Sequence, residues 1–211
     1  SPYKFRPHMH MSDETFNKAL RWLRYFHAKK PPLDWPPMIE DMKPTNALPK
    51  LMLHGIGESL LHPRFFELAA MARDACPNTD IGIATNGILL TDENCAKLAA
   101  RNISVNLSLH RPDLIKGVVQ RARNAGILYM MSNGPALEPG NWAGQVDWPQ
   151  HTRGAACGYL NLGMGIILVD GQITTCCLDA RNQGIIGNVD MEPCPLPMKP
   201  YILCQTCDKV P

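Results

Sequence analysis

Between Lys50 and Met131 the sequence alternates short apolar runs with amphipathic stretches, and this alternation constrains the fold more than any other feature. The apolar runs predict strands over 51–53, 80–84, 103–109 and 127–131. The stretches between them have the period of a helix and predict helices over 63–75, 92–101 and 112–124. Strands and helices that alternate at this spacing predict a parallel sheet with its helices outside it.

The segments on either side of this alternation have a different character. Ser12 is a suitable N-cap for an amphipathic helix predicted from Asp13 to about Ala28. Prolines interrupt 31–49, which predicts a long connection, either an insertion or a lid. We expect three regions in all: a domain over 1–133, a linker over 134–156, and a cysteine-rich domain over 157–211. Within the last region, 165–174 predicts a β-hairpin, and its Asp170-Gly171 pair suits a type I′ turn.

Composition bounds the function more loosely. The 211 residues can bury a full core, and 45% hydrophobic with 19% charged residues is ordinary for a globular protein. A formal charge of +2 gives no electrostatic case for a nucleic-acid partner. No apolar run reaches the length of about 18 residues that would span a membrane. We therefore expect a cytoplasmic protein without nucleic-acid or membrane partners.

Three strand ends carry residues suited to a ligand, because parallel α/β proteins bind ligands at the carboxyl ends of their strands. After the first strand come Gly55 and Gly57, which would let the backbone approach a ligand closely, and Glu58, an anion able to meet an ammonium group. The second strand ends in Thr85-Asn86-Gly87 and the third includes Ser108. The plainer interpretation of the two glycines is a tight turn and nothing more.

Six of the eight cysteines lie in the last third of the chain. Cys204 and Cys207 form a CxxC pair, which lets two thiolates reach one metal centre from a single turn. Two more cysteines from a distant loop would complete a four-sulfur cage. A disulfide framework, a zinc site and an iron–sulfur cluster all remain open on this pattern. Cys177, next to Cys176, is interpreted as a packed thiol, with the alternative that it is a ligand itself, and Cys194 as an alternate ligand or a free thiol near the metal site.

These motifs together resemble a known family. The segment from Leu51 to Pro63 is similar to the glycine-glutamate segment of the radical S-adenosylmethionine enzymes, which also have strand ends like Thr85-Asn86-Gly87 and Ser108. The last third resembles their auxiliary-cluster module, called SPASM or, in its shorter form, twitch. That module has a cysteine, a spacer, a glycine and then a cysteine, as in Cys157, Gly171 and Cys176. The resemblance covers about residues 50 to 207.

The resemblance implies a fold and a chemistry. The fold would be a partial, TIM-like (β/α)6 barrel followed by a small C-terminal β-hairpin domain with the auxiliary cluster. In that family a 4Fe-4S cluster cleaves S-adenosylmethionine to a 5′-deoxyadenosyl radical, which abstracts hydrogen from a C–H bond. The implied cofactor-binding residues are Gly55, Gly57, Glu58, Asn86 and Ser108. The implied ligands of an auxiliary 4Fe-4S cluster are Cys157, Cys176, Cys204 and Cys207.

The implied enzyme is oxidoreductase-like and would act on a peptide or small-molecule substrate, with an external flavodoxin- or ferredoxin-like electron donor. Two departures qualify this expectation. Ser59 replaces the usual proline, and the CxxxCxxC motif that holds the radical cluster is absent. We expect that motif, the second 4Fe-4S cluster and the first strand to precede Ser1. The alternative is a non-catalytic or degenerate module that binds an iron–sulfur cluster or zinc and lacks the radical cluster.

Overall fold

The computed structural model describes residues 9–28, 50–55, 57–108, 113–132, 165–174, 176–177, 179, 181–196 and 202–205. The proline-rich stretch 31–49 and the linker 134–156 lie outside the described residues, so the three-region division stays a prediction. Contacts along the chain divide it into two compact units. One comprises Ser1–Ala19 with Pro135–Pro211, and the other comprises Leu20–Gly134.

The described elements include every helix and strand predicted between residues 13 and 132, with bounds shifted by at most a few residues. In chain order they are α1 (Asp13–Ala28), β1 (Lys50–Met52), a 3-10 helix (Ser59–Leu61), α2 (Phe65–Ala75), β2 (Asp80–Thr85), α3 (Asp92–Ala99), β3 (Ile103–Ser108), α4 (Ile115–Asn124), β4 (Tyr129–Ser132), β5 (Ile166–Ile167), β6 (Gln172–Thr174), β7 (Ile185–Asn188) and a 3-10 helix (Ile202–Gln205). None of the helices among these residues has the length and apolarity needed to cross a membrane.

The Leu20–Gly134 unit contains a four-stranded parallel sheet in the order β1-β2-β3-β4. The mixed α/β architecture with a parallel sheet is therefore confirmed. Because each strand pairs with the next one in sequence and crossovers are right-handed, α2, α3 and α4 lie on one face of the sheet. Ile81, Ile83 and Val105 alternate along the strands and are almost fully buried. The partial (β/α)6 barrel stays a prediction.

The opposite face of the sheet is closely packed at the amino ends of the strands and polar towards their carboxyl ends. At its amino end, side chains crowd Gly82: a Cβ added there would lie 2.7 Å from Ser104 Oγ and 3.0 Å from Met52 Sδ. One step towards the carboxyl end, Ala84 pairs in register with Asn106. Ser104 and Asn106 are half-buried, whereas the residues between and beside them in β3 are buried. The face is therefore closely packed at one end and polar towards the other.

The second unit contains an antiparallel sheet in the order β5-β6-β7, and the start of α1 packs beside it. Thr15 Cγ2 lies 3.4 Å from the position of a Cβ added to Gly171, and Lys18 Nζ pairs with Asp190 Oδ1 at 2.7 Å. The predicted type I′ turn is wrong, because Asp170 lacks the positive φ that such a turn needs and Gly171 alone has one, 83°. The bond from Gly171 N to Leu168 O closes the turn one residue earlier.

Candidate functional site

The carboxyl end of the parallel sheet brings the glycine-glutamate turn and the end of β2 together. Glu58 Oε2 accepts hydrogen bonds from Thr85 Oγ1 at 2.9 Å and from the Asn86 backbone N–H at 3.3 Å. Glu58 Oε1 accepts from the Leu60 N–H at 3.3 Å and so caps the 3-10 helix that follows. One half-buried carboxylate therefore links two neighbouring strand ends that are 27 residues or more apart in sequence.

These three hydrogen bonds leave the Glu58 carboxylate with acceptor capacity. An ionised carboxylate offers about four lone-pair positions, two on each oxygen. Thr85 and Asn86 occupy both positions on Oε2, whereas Leu60 occupies one on Oε1. The remaining position on Oε1 suits one further donor, and an ammonium group would bind it through a charge-assisted hydrogen bond.

The backbone before Glu58 leaves room for a ligand. A Cβ added to Gly55 or to Gly57 would meet no atom within 4 Å in the described part of the chain. Gly57 also has φ of +152°, a conformation that residues with side chains rarely adopt. Ser59 fixes the turn by donating from its Oγ to Leu53 O at 2.6 Å. The tight turn and the open approach are thus both present, so the two interpretations of the glycines do not exclude one another.

The end of β2 binds the Glu58 carboxylate through the Asn86 backbone N–H and the Thr85 hydroxyl, and not through the Asn86 side chain. Asn86 Oδ1 accepts from the Ile88 N–H at 2.9 Å, which holds this amide in a local turn. Thr85 Oγ1 donates to Glu58 and accepts from the Gly87 N–H at 3.1 Å. Both residues belong to the predicted strand end, but the sequence predicted a cofactor-binding role for Asn86 alone. The available signal was that Thr85 is the first polar residue after an apolar strand.

Asn106, which belongs to the third predicted strand end, is a second residue without a predicted binding role. It lies on the face of the sheet opposite α2, α3 and α4, two residues before Ser108 on the same face of β3. Its Oδ1 is buried, and no hydrogen-bond partner for it exists among the residues that the structure describes. A buried acceptor without a donor costs about 1 to 3 kcal/mol, and such groups in native proteins need an explanation. A ligand that donates a hydrogen bond at this face would supply one.

Two histidines flank the glycine-glutamate turn. His54 keeps part of its surface exposed, yet the protein around it desolvates the imidazole and lowers its pKa. The ring therefore remains neutral at pH 7 and adds no positive charge at the start of the turn. His62 has a structural contact, since its Nδ1 accepts from the Arg64 N–H at 3.1 Å just before α2.

Only part of the predicted cysteine site can be located. Cys176 and Cys204 are half-buried, whereas Cys157 and Cys207 lie outside the described residues. None of the described cysteines forms a disulfide. Within the same residues no three His, Cys, Asp or Glu side chains gather as a metal site, so Cys177 and Cys194 do not complete one with Cys176 or Cys204. The four-cysteine ligand set stays a prediction.

The remaining two cysteines belong to the core. Cys76 and Cys95 are 6% and 0% exposed. Burial raises the pKa of both thiols, because the thiolate would lose its hydration there. Both residues therefore behave as small apolar side chains and not as metal ligands.

Comparison with known proteins identifies the fold. No protein-family model matches the chain, and no curated protein sequence matches it. Among solved structures the chain is similar to BtrN, a radical S-adenosylmethionine enzyme, in its crystal structure with AdoMet and 2-DOIA. The TM-score is 0.66 at 17% identity, over 88% of this chain and 68% of BtrN.

An open conformation of selenomethionyl BtrN gives a TM-score of 0.54 at 16% identity. That match covers 85% of this chain and 64% of BtrN, so the chain spans about two thirds of the length of this neighbour. At these identities the likeness establishes the fold and not the activity. The chain shares the fold of BtrN over most of its own length.

Proposed function

We propose that this chain is the S-adenosylmethionine-binding part of a radical S-adenosylmethionine enzyme that acts on a peptide or small-molecule substrate. The observation that carries the proposal is the Glu58 carboxylate at the carboxyl end of the parallel sheet. Three protein donors fix it, and one acceptor position remains beside the open backbone of Gly55 and Gly57. An amino acid with a free ammonium group, such as the methionine part of the cofactor, fits this arrangement.

The residues nearby fit the rest of such a cofactor. Asn106 Oδ1 is a buried acceptor that would gain a partner from a hydroxyl or amino group of the bound molecule. Ser108 lies one step nearer the end of β3 on the same face and offers a hydroxyl. When bound beside a reduced iron–sulfur cluster, S-adenosylmethionine supplies the one-electron chemistry that removes hydrogen from a C–H bond. The protein's own residues bind and orient the cofactor and exclude water.

The C-terminal unit would hold the auxiliary 4Fe-4S cluster through Cys157, Cys176, Cys204 and Cys207. Thiolates are the ligands that iron–sulfur clusters take, and Cys176 and Cys204 are half-buried thiols outside any disulfide. Such a cluster would exchange electrons with the substrate or shape its pocket. The enzyme would also need an external flavodoxin- or ferredoxin-like electron donor and a second 4Fe-4S cluster beside the S-adenosylmethionine.

The likeness to BtrN supports the same function. BtrN was crystallised with AdoMet and a second ligand, 2-DOIA, and this chain shares its fold over most of its own length. A shared fold alone leaves many functions open. The Glu58 contacts add a specific chemical reason to place an ammonium-bearing cofactor at the carboxyl end of the sheet.

The test is the affinity of the chain for S-adenosylmethionine, measured by isothermal titration calorimetry on the unmodified chain and on Glu58→Gln. The substitution keeps the size of the side chain but removes its charge, and a hydrogen bond to a charged group contributes about 1.5 to 3 kcal/mol. We expect affinity to fall about 10- to 100-fold.

The matched control is Glu67→Gln, since Glu67 is an exposed carboxylate of the same unit that pairs with Arg64 at 2.7 Å. It should bind S-adenosylmethionine like the unmodified chain. Glu58→Gln affinity within twofold of the unmodified chain would contradict the proposal.

A further inference from the structure

Hydrogen bonds hold the backbone of Cys176 on both sides. Its N–H donates to Thr174 Oγ1 at 3.3 Å, and its C=O accepts from the Asp179 N–H at 3.3 Å. Both partners are polar residues with 0% exposure, which is uncommon for either residue type. The cysteine itself stays half-buried. Two buried polar residues therefore fix the backbone of one half-buried cysteine.

Asp179 is anchored through both of its carboxylate oxygens. Oδ1 accepts from the Gln183 N–H at 3.0 Å, and Oδ2 accepts from the Gly184 N–H at 2.7 Å. Burying a carboxylate is costly unless donors compensate for its lost hydration, and here two backbone donors do so. Gly184 immediately precedes β7. The carboxylate thus ties the segment after Cys176 to the start of the next strand.

Thr174 is anchored by the sheet itself. It is the last residue of β6 and pairs in register with Ile166 on one side and with Ile185 on the other. The strand pairing therefore fixes the position from which the Thr174 hydroxyl extends. Cys176 lies between β6 and β7, and its backbone is hydrogen-bonded to a buried residue on each side, Thr174 and Asp179. Hydrogen bonds of this kind orient metal ligands in many proteins, and their loss weakens metal binding although they never touch the metal.

We propose that Thr174 and Asp179 are positioning residues that hold Cys176 as a ligand of the auxiliary iron–sulfur cluster. The inference rests on the proposed function, because it assumes that the C-terminal unit holds a cluster. It adds the residues that fix the backbone of one proposed ligand. The anchors act on the backbone of Cys176 at both its N–H and its C=O, so its Cβ direction is set before any cluster binds.

The test is anaerobic reconstitution of the full chain with ferrous iron and sulfide. Iron per chain, the visible absorption band and the rate of iron loss to a chelator are then measured. Asp179→Asn replaces one acceptor oxygen by an NH2 group that opposes a backbone donor. Thr174→Val keeps the shape and removes the acceptor for the Cys176 N–H. We expect iron to be lost about 10- to 100-fold faster from either variant.

Two matched controls separate this effect from general destabilisation. Thr91→Val removes a hydroxyl that accepts from the Asn94 N–H at 3.2 Å, the same kind of bond at the start of α3. Asp170→Asn alters an exposed carboxylate that accepts from the Gln172 N–H at 3.1 Å at the far end of the β5–β6 turn. Both controls should lose iron at the rate of the unmodified chain. Far-UV circular dichroism of every variant checks that it folds, and Thr174→Val is the milder of the two test variants.

Double variants show whether the two residues act through Cys176. In a Cys176→Ser background, Asp179→Asn should change neither the iron content nor the absorption band any further, because the ligand it positions is gone. In a Cys177→Ser background it should have its full effect.

Unchanged iron content, band and release rate in both Asp179→Asn and Thr174→Val would overturn the positioning role and leave the cluster standing. An effect of Asp179→Asn that persists in full in the Cys176→Ser background would overturn it as well. An unmodified chain that binds no iron would overturn the cluster and the positioning role together.

Discussion

Replacing Asn106 by leucine should stabilise the free protein, although it removes a polar side chain from a sheet. Asn106 Oδ1 is buried and has no donor within the described residues, so the folded state carries the cost of its desolvation. That cost is about 1 to 3 kcal/mol, and leucine has the same branched arrangement of side-chain heavy atoms without a polar atom. A gain of about 1 kcal/mol would raise the melting temperature by about 2 to 4 °C for a chain of this size.

The same substitution should weaken cofactor binding, because the ligand would lose its acceptor. A hydrogen bond between neutral groups contributes about 0.5 to 1.5 kcal/mol, which corresponds to a loss of about 2- to 12-fold in affinity. Differential scanning fluorimetry measures the first effect, and titration calorimetry with S-adenosylmethionine measures the second. A residue kept for ligand binding should show this opposition between stability and affinity.

Ser104→Ala is the control for Asn106→Leu, because Ser104 lies on the same face and its hydroxyl bonds inside the protein, to Asp80 Oδ1 and to Ile81 O. It should lower the melting temperature slightly and leave affinity unchanged. The reasoning fails if Asn106→Leu destabilises the free protein and binds the cofactor as tightly as the unmodified chain does. Asn106 would then be a structural residue of the sheet.

Three further predictions concern stability. Arg73→Met should lower the free energy of unfolding by about 1 to 2 kcal/mol in urea titrations without changing cofactor affinity, because Arg73 binds carbonyl groups at the amino end of the sheet, including Asn102 O at 3.0 Å. Ser59→Ala should cost about 1 kcal/mol and also weaken cofactor binding, since its bond to Leu53 O fixes the glycine-glutamate turn; unchanged binding would count against that role. Burial raises the pKa of Cys95 above its ordinary 9.0, so the unfolded chain loses this proton first and stability should fall as pH rises past about 9. Cys95→Ala should show a shallower fall between pH 8 and 10, and an equal slope in the two proteins would refute the cause.

The parallel sheet could be predicted because its signal is local and repeated. Apolar runs of strand length, such as Ile81 to Ala84, alternate with stretches of helical period, and this pattern has few solutions. The turn at Gly171 was harder, because an Asp-Gly pair is compatible with more than one hairpin loop. Because Gly171 N bonds to Leu168 O, the two central residues of the turn are Val169 and Asp170, and Gly171 is its last residue.

The residues of the candidate site could be predicted only where the residue type itself indicates a function, as glycine does for a close backbone approach and glutamate does for binding an ammonium group. Two glycines before Glu58 suggest a ligand turn in any strand–helix protein, and the structure places Glu58 at a strand end with an acceptor position to spare. Asn106 could not be found in this way. Alternating polar residues in a strand usually indicate a solvent face, and only the three-dimensional structure shows that its Oδ1 is buried. The role of Thr85 was missed because it depends on a carboxylate 27 residues away.

The most direct test of the account is a crystal structure of the chain with S-adenosylmethionine. We predict that the methionine part lies over Gly55 and Gly57, with its ammonium nitrogen about 2.7 to 2.9 Å from Glu58 Oε1, the distance of a charge-assisted hydrogen bond. We also predict that a donor group of the bound molecule lies within hydrogen-bond distance of Asn106 Oδ1. A cofactor bound elsewhere, with Glu58 Oε1 unchanged in its contacts, would contradict the account.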